Sequence, residues 1–198
     1  MVNLNLKNIF ADIPPLSSQR LLLRKILPSD YSDMYEYASN EKTTQYLSWE
    51  AHRNINFTKN YTKFLQKQYR DGNFYDWAVV IKETGKMIGT CGFSSFSPEN
   101  CRAELGYVIS PDYWGKGIAT EASNLVISFG FEQLDLHRIE AKFICGNFSS
   151  ESVMKKIGMK KEGVFREYMF IKGDFKDICY YAMTVEDYFK IRYKIYME

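Results

Sequence analysis

The chain has 198 residues, 45% of them hydrophobic and 25% charged, with a formal net charge of +2. A chain of that length buries enough apolar surface for one domain that needs no metal or disulfide to hold it. Its two signs of charge are interspersed, without the basic stripe of a nucleic-acid binder, and no apolar run approaches the ~20 residues of a membrane span.

Four cysteines, Cys91, Cys101, Cys145 and Cys179, form no CxxC pair, and only His52 and His137 accompany them. No metal site is expected from that set. All four thiols read as small buried hydrophobes of a reducing compartment. The opening MVNLNLKNIF alternates polar and apolar residues, unlike a signal peptide, so the expected location is the cytoplasm, with neither nucleic acid nor membrane as partner.

Residues 1–19, which end in the PPLSS turn, read as a loose arm; the domain boundary is placed after residue 16. Arg20–Ile26 is a short apolar run and a fair strand. Pro28 and Ser29 punctuate it, with Ser29 as candidate N-cap of a helix to about Ser39. Asn54 to Arg70 repeats apolar residues near helical spacing and stops at Asp71-Gly72. WAVVIK, ETGK and MIGTCGF read as a hairpin turning at Gly85.

Arg102–Ile109 alternates, with Ala103, Leu105, Tyr107 and Ile109 on one face and Glu104, Gly106 and Val108 on the other. Ile118, Ala122, Leu125, Val126 and Phe129 mark one face of an amphipathic helix. His137–Cys145 is a further strand, SESVMKKIG a short helix closed by Gly158, and 160–171 with 175–184 a hairpin meeting at KGD. A tyrosine-rich helix ends the chain. Hairpins that lead into strand–helix–strand units predict an α/β chain of the α+β type, a mixed sheet flanked by helices.

Between the alternating strand and the amphipathic helix lies SPDYWGKGIATEA, Ser110 to Ala122. It is not a nucleotide P-loop: Ser110 stands where the first glycine belongs and Gly117 where the hydroxyl belongs. A dinucleotide fingerprint fails at Thr120, and SPDYW separates the glycines from the strand. Two readings stay open on the glycines alone: a tight turn, or an anion site at a helix N-terminus where glycine admits a phosphate to the backbone.

The run AELGYVISPDYWGKGIATEA resembles the acyl-CoA-binding segment of the GNAT acetyltransferase superfamily, in particular its ribosomal-protein N-terminal acetyltransferase branch. Gly117 and Ala119 fill the last two marked positions of Q/R-x-x-G-x-G/A, and Trp114 stands in the first. NFSSESVMKKIGM resembles a second element, N-x-x-S-x-x-x-x-x-K-x-G-F, with Asn147, Ser150, Lys156 and Gly158 in place and Met159 for the aromatic. The resemblance spans residues 17–185 and implies a single GNAT-like domain with a mostly antiparallel sheet of about seven strands.

The resemblance implies acetyl-CoA as co-substrate and direct transfer of acetyl to a primary amine, by a monomer or homodimer. The acceptor would be a protein N-terminus or a small amine such as a polyamine, amino acid or aminoglycoside; a non-catalytic acyl-CoA-binding module is the rival class. Val108 and Ile109 would pair with the pantetheine arm through their backbones. The segment Gly115, Lys116, Gly117, Ile118, Ala119 and Thr120 would hold the pyrophosphate, and the N–H of Val108 or its neighbour would polarise the thioester.

Glu104 is the candidate base, against a role as ion-pair partner of Arg102 or Lys142. Asn147 is a cofactor contact or a helix cap, and Ser150 a cofactor contact that also serves the leaving sulfur. Tyr46 and Trp49 are candidate walls of the acceptor pocket, against simple packing.

Overall fold

The computed structural model describes residues 6–197, with α1 (Leu6–Ala11), β1 (Leu16–Ser17), β2 (Leu21–Arg24), α2 (Tyr31–Ala38), α3 (Glu41–Thr44) and α4 (Ile55–Asp71). The chain continues through β3 (Tyr75–Ile81), β4 (Met87–Ser97), β5 (Arg102–Ile109), α5 (Ile118–Glu132), β6 (Arg138–Ile144), α6 (Phe148–Lys156), β7 (Lys160–Ile171), β8 (Asp174–Thr184) and α7 (Val185–Met197). Eight strands form one sheet in the order β1-β2-β3-β4-β5-β6-β8-β7, mixed as expected and one strand larger. Every pairing is antiparallel except β5 with β6.

The interior runs from Trp77, Val79 and Val80 of β3 through Phe93 of β4 to Val126 and Phe129 of α5. Four consecutive residues of β3, Trp77 to Val80, are buried, as a strand covered on both faces requires. α5 buries Ser123, Ile127, Gly130 and Phe131 beside the predicted face, so it is enclosed on more than one side. Gly130 permits this: a Cβ there would come 2.8 Å from Ile139 Cδ1 and 3.0 Å from Phe93 Cζ.

Three expectations change. The arm is not loose where it is described: Phe10 and Ile13 are buried, and the Phe10 ring meets Tyr75, Trp77 and Phe129 at 4.8, 5.8 and 6.4 Å between centroids. Residues 1–5 of that arm lie outside the described residues. Ser29 is not a cap, because Pro28–Asp30 forms a 3₁₀ turn before α2; the Asp30 carboxylate caps that turn, and α2 itself starts without a side-chain cap. Its Oδ2 accepts the Leu27 N–H at 2.7 Å, and both its oxygens take the Arg24 guanidinium, at 2.7 and 2.8 Å. The cysteines are not four buried thiols: Cys145 and Cys179 are joined in a disulfide with Cα atoms 5.3 Å apart, Cys91 is buried, and Cys101 is only half-buried.

The other elements follow their local signals. α4 starts where the Asn54 side chain accepts the Phe57 N–H at 3.0 Å, and stops at Gly72 with φ +71°. Gly158, at φ +86°, closes α6 and donates its N–H to Lys155 O at 3.1 Å.

Candidate active site

The sheet parts in its middle. β5 and β6 are paired only over Arg102–Glu104 and Arg138–Glu140; beyond that, β5 stays with β4 and β6 with β8. The second half of β5, through Val108 and Ile109, therefore borders an open wedge. The N-terminal ends of α5 and α6 close on that wedge and leave a cavity of about 440 Å³. Val108, Ile109, Gly115, Gly117, Ile118, Ala119, Thr120, Asn147 and Ser150 all line it, although up to 42 residues separate them in sequence.

The glycine loop suits an anion. Gly115 and Gly117 have φ of +74° and +76°, the left-handed region where glycine costs least. Gly117 is the N-cap of the 15-residue α5 and offers no side-chain acceptor, so the first N–H groups of the helix keep their donors for a ligand. Above the loop there is room: a Cβ on Gly115 would meet nothing within 4 Å, and one on Gly117 only Arg20 Nη2 at 3.7 Å. Backbone donors, a helix dipole and open space together fit a pyrophosphate.

The loop is pinned on both sides. Trp114 Nε1–H donates to Ile109 O at 2.7 Å and ties it to the end of β5. Arg20 donates to Lys116 O at 3.1 Å and to Glu121 Oε2 at 2.8 Å, while Ser18 Oγ–H donates to Glu121 Oε1 at 2.5 Å. This brace joins residues about a hundred positions apart, so no local pattern announces it. The Lys116 side chain turns away from the cavity: its ammonium donates to Asp112 O at 2.8 Å and lies 5.0 Å from the Tyr113 ring centroid.

Asn147 is a helix cap in a position that also borders the cavity. Its Oδ1 accepts the Ser150 N–H at 3.1 Å, a cap, and the residue also faces the cavity. Beside Ser150 lies a group the sequence does not reveal. The Tyr107 hydroxyl is buried without a hydrogen bond of normal geometry among the described residues; burial pushes it up to about 12, and the neighbouring Ser150 hydroxyl holds back part of that rise. By alternation Tyr107 looks like one more core residue, and it borders the cavity where β5 parts from β6.

Glu104 shares the β5 face of Gly106 and Val108, but its carboxylate is engaged. Lys142 Nζ lies 2.7 Å from Oε2, and Ser94 Oγ–H donates to Oε1 at 2.9 Å. The two acceptor-wall candidates separate. Tyr46 lines the cavity over the glycine loop, whereas Trp49 lines a second one of about 640 Å³.

That second cavity also has Val108 in its wall, so the two meet at one residue of β5. Its sides are Tyr37, Trp49, Phe57, Tyr61 and Phe74, with His52 and Asp76 among them. The His52 ring stands 4.9 Å from Phe57 and 5.7 Å from Tyr61, and burial lowers its pKa. Asp76 keeps some accessible surface through the cavity yet is otherwise enclosed by protein, which pushes its carboxyl up to about 7. Reading the strand from Trp77 onward passes over it. Among the described residues no group of three or more His, Cys, Asp or Glu could hold a metal ion, and no helix is long and apolar enough to cross a membrane.

The family model for the acetyltransferase (GNAT) domain matches residues 20–160, the span holding the parted strands and both helix ends. The chain belongs to the GNAT acetyltransferase family. It is 32% identical over 173 residues to an uncharacterized N-acetyltransferase, p20, of Bacillus licheniformis, covering 87% of this chain and 97% of that one. A solved GNAT-family acetyltransferase from Bacillus anthracis superposes with a TM-score of 0.77 at 29% identity, over 87% of this chain and 99% of that one. The [ribosomal protein uS5]-alanine N-acetyltransferase of Escherichia coli is 26% identical over 125 residues, 63% of this chain and 64% of that one. This GNAT chain is thus an N-acetyltransferase.

Proposed function

We propose that the enzyme transfers the acetyl group of acetyl-CoA to a primary amine, with the thioester in the cavity over the glycine loop and the amine in the second cavity. The observation that carries this reading is the meeting of the two cavities at Val108, on the strand where the sheet parts. Acetyl-CoA supplies an acyl group activated as a thioester. The chain's own residues bind, orient and move protons.

In this reading the backbone from Gly115 to Thr120 takes the pyrophosphate and the edge of β5 at Val108 and Ile109 takes the pantetheine arm. The Val108 N–H polarises the carbonyl, an interaction that strengthens as charge grows on the oxygen. The amine's nitrogen bonds to the acetyl carbon, the carbon–sulfur bond breaks, and two proton movements complete the exchange. Glu104 receives the amine's proton through water, with Lys142 holding the carboxylate in place. Ser150 and Tyr107 stand on the sulfur side, where a hydroxyl can give a proton to the departing thiolate.

A compact amine fits the aromatic-walled second cavity of about 640 Å³. A protein N-terminal α-amine is the second reading, favoured by the uS5-alanine relative. Release of free thiol from acetyl-CoA with small amines and with N-terminal peptides tests both. Acetyl-CoA should also raise the melting temperature where acetate does not. Thiol release at the hydrolysis background with every amine overturns the enzymatic reading, and stabilisation by ATP but not by CoA overturns the cofactor.

A further inference from the structure

We propose that the second cavity selects acceptors bearing a second positive charge, held by Asp76 and its aromatic walls at a distance from the amine being acetylated: compact alkyl diamines. The proposal rests on the reading that the amine enters through this cavity.

The register places Asp76 in a row across the sheet, opposite Gly92 of β4, which in turn lies opposite Gly106 of β5. Two glycines leave the sheet face beside Asp76 bare. A Cβ on Gly92 would come 2.4 Å from Asp76 Oδ1, so the carboxyl lies over the β4 backbone, in the space a side chain would need. From behind, Tyr69 O–H donates to Asp76 O at 2.6 Å and fixes that residue's backbone.

Among the described residues, the Asp76 carboxyl has no hydrogen bond or ion pair, and burial alone accounts for its shift. An unpaired carboxylate in such a place is costly, and a cation in the cavity offsets the cost. The rest of the lining suits the same ligand, since ammonium groups are attracted to the faces of tryptophan, tyrosine and phenylalanine. Trp49, Phe57 and Tyr61 supply such faces. The cavity's other charged groups, Glu50 and Arg53, belong to exposed residues, leaving Asp76 as the charge at its floor.

Spacing separates this charge from the chemistry. The row through Asp76 ends at Gly106, and Val108, which borders the first cavity, lies two residues further along β5, so two inter-strand steps of ~4.8 Å and two residues of ~3.4 Å put the Asp76 and Val108 backbones about 12 Å apart. One amine cannot occupy both positions. A molecule that does so carries two, joined by a spacer of roughly five or six carbons once about 3 Å of hydrogen-bond length at Asp76 is allowed.

Pentane-1,5-diamine and pentylamine present the same reacting group and differ in the second charge. The proposal predicts a kcat/KM at least tenfold higher for the diamine with the wild-type enzyme. In Asp76→Asn, which keeps the shape and loses the charge, the diamine should lose at least tenfold. Pentylamine should lose far less than the diamine in that variant, and the KM for acetyl-CoA should stay within about twofold. Calorimetric titration of the diamine into the CoA-bound protein should show binding that Asp76→Asn abolishes, without need of turnover. Equal wild-type rates on the two amines, or equal losses on both in the variant, overturns the proposal while leaving the acetyltransferase reading intact. Peptide N-termini acetylated while both amines are refused overturns it as well. If no amine of any kind is acetylated, the reading on which it rests has failed. The wild-type comparison decides the matter even if Asp76→Asn does not fold.

Discussion

The cavity over the glycine loop and the cavity around Asp76 share Val108 and little else. The first is built from main chain: left-handed glycines, the uncapped start of α5, and the free edge of β5 beyond Glu104. The second is built from side chains, with aromatic rings from α2, α4 and two loops over one carboxyl. Backbone geometry needs particular residues at fixed spacing, so the first cavity can be read from a short string. A wall of rings needs only bulk and an apolar surface, which many residues supply. The molecule thus pairs a site fixed by conformation with one free to vary in specificity, and each substitution below asks whether that division is real.

The largest effect is expected on β5 at Glu104, which lines neither cavity and lies four residues before the Val108 they share. Glu104→Gln keeps size and hydrogen bonding but removes basicity, and should lower kcat/KM at pH 7 by roughly 10²–10⁴-fold. An alkylamine has pKa near that of lysine, about 10.4, so the loss should shrink as pH rises and the amine deprotonates unaided. A deficit constant across pH would assign Glu104 to the Lys142 and Ser94 contacts instead.

On the first cavity's side, Tyr107→Phe removes a hydroxyl that makes no hydrogen bond of normal geometry, so the fold should be little changed. If that hydroxyl serves the leaving thiolate, kcat should fall about 10-fold or more with acetyl-CoA affinity unchanged. Double substitution with Ser150→Ala distinguishes a shared role from independent ones. An unchanged kcat in Tyr107→Phe would leave Ser150 or water as the donor.

The smallest expected effect is on stability, in the second cavity. The folded Asp76 pKa of about 7 lies above the ~3.9 of an unfolded carboxyl, so the native state holds more protons between those values. The contribution of Asp76 to stability is complete below about pH 4 and is lost as pH rises through 7. Asp76→Asn should therefore make the ligand-free protein more stable than wild type at pH 8, by about 1–3 kcal/mol because the group opens onto a cavity, and make no difference near pH 3.5. Thermal melts at both values check this; a variant less stable at pH 8 would mean that the carboxylate is satisfied in the native state.

Much of the fold is legible in the sequence where one local signal decides the outcome. Asn54 and Gly72 bound α4, Gly85 turns the β3–β4 hairpin, and Gly158 ends α6. Expectations fail where a distant partner decides. Phe10 has no local reason to be ordered and is held by Tyr75, Trp77 and Phe129. Cys145 and Cys179 meet because β6 and β8 pair, and the Arg20–Glu121 brace spans the sheet edge and α5. Tyr46 and Trp49, three positions apart, go to different cavities because the chain past α3 crosses from one to the other. The carboxyl of Asp76 is visible only from the register that sets it against Gly92.

The central claim is that the two substrates occupy the two cavities and meet at Val108. Steady-state kinetics on Gly117→Val and Asp76→Asn, with acetyl-CoA and pentane-1,5-diamine each varied, test it most directly. Gly117→Val puts a branched side chain at a left-handed position beneath the expected phosphates, so folding should be verified first by melting. The account predicts a double dissociation. Gly117→Val raises the KM for acetyl-CoA at least tenfold and leaves that for the diamine near wild type, and Asp76→Asn does the reverse. Two folded variants that each disturb both constants alike, or neither, would contradict it.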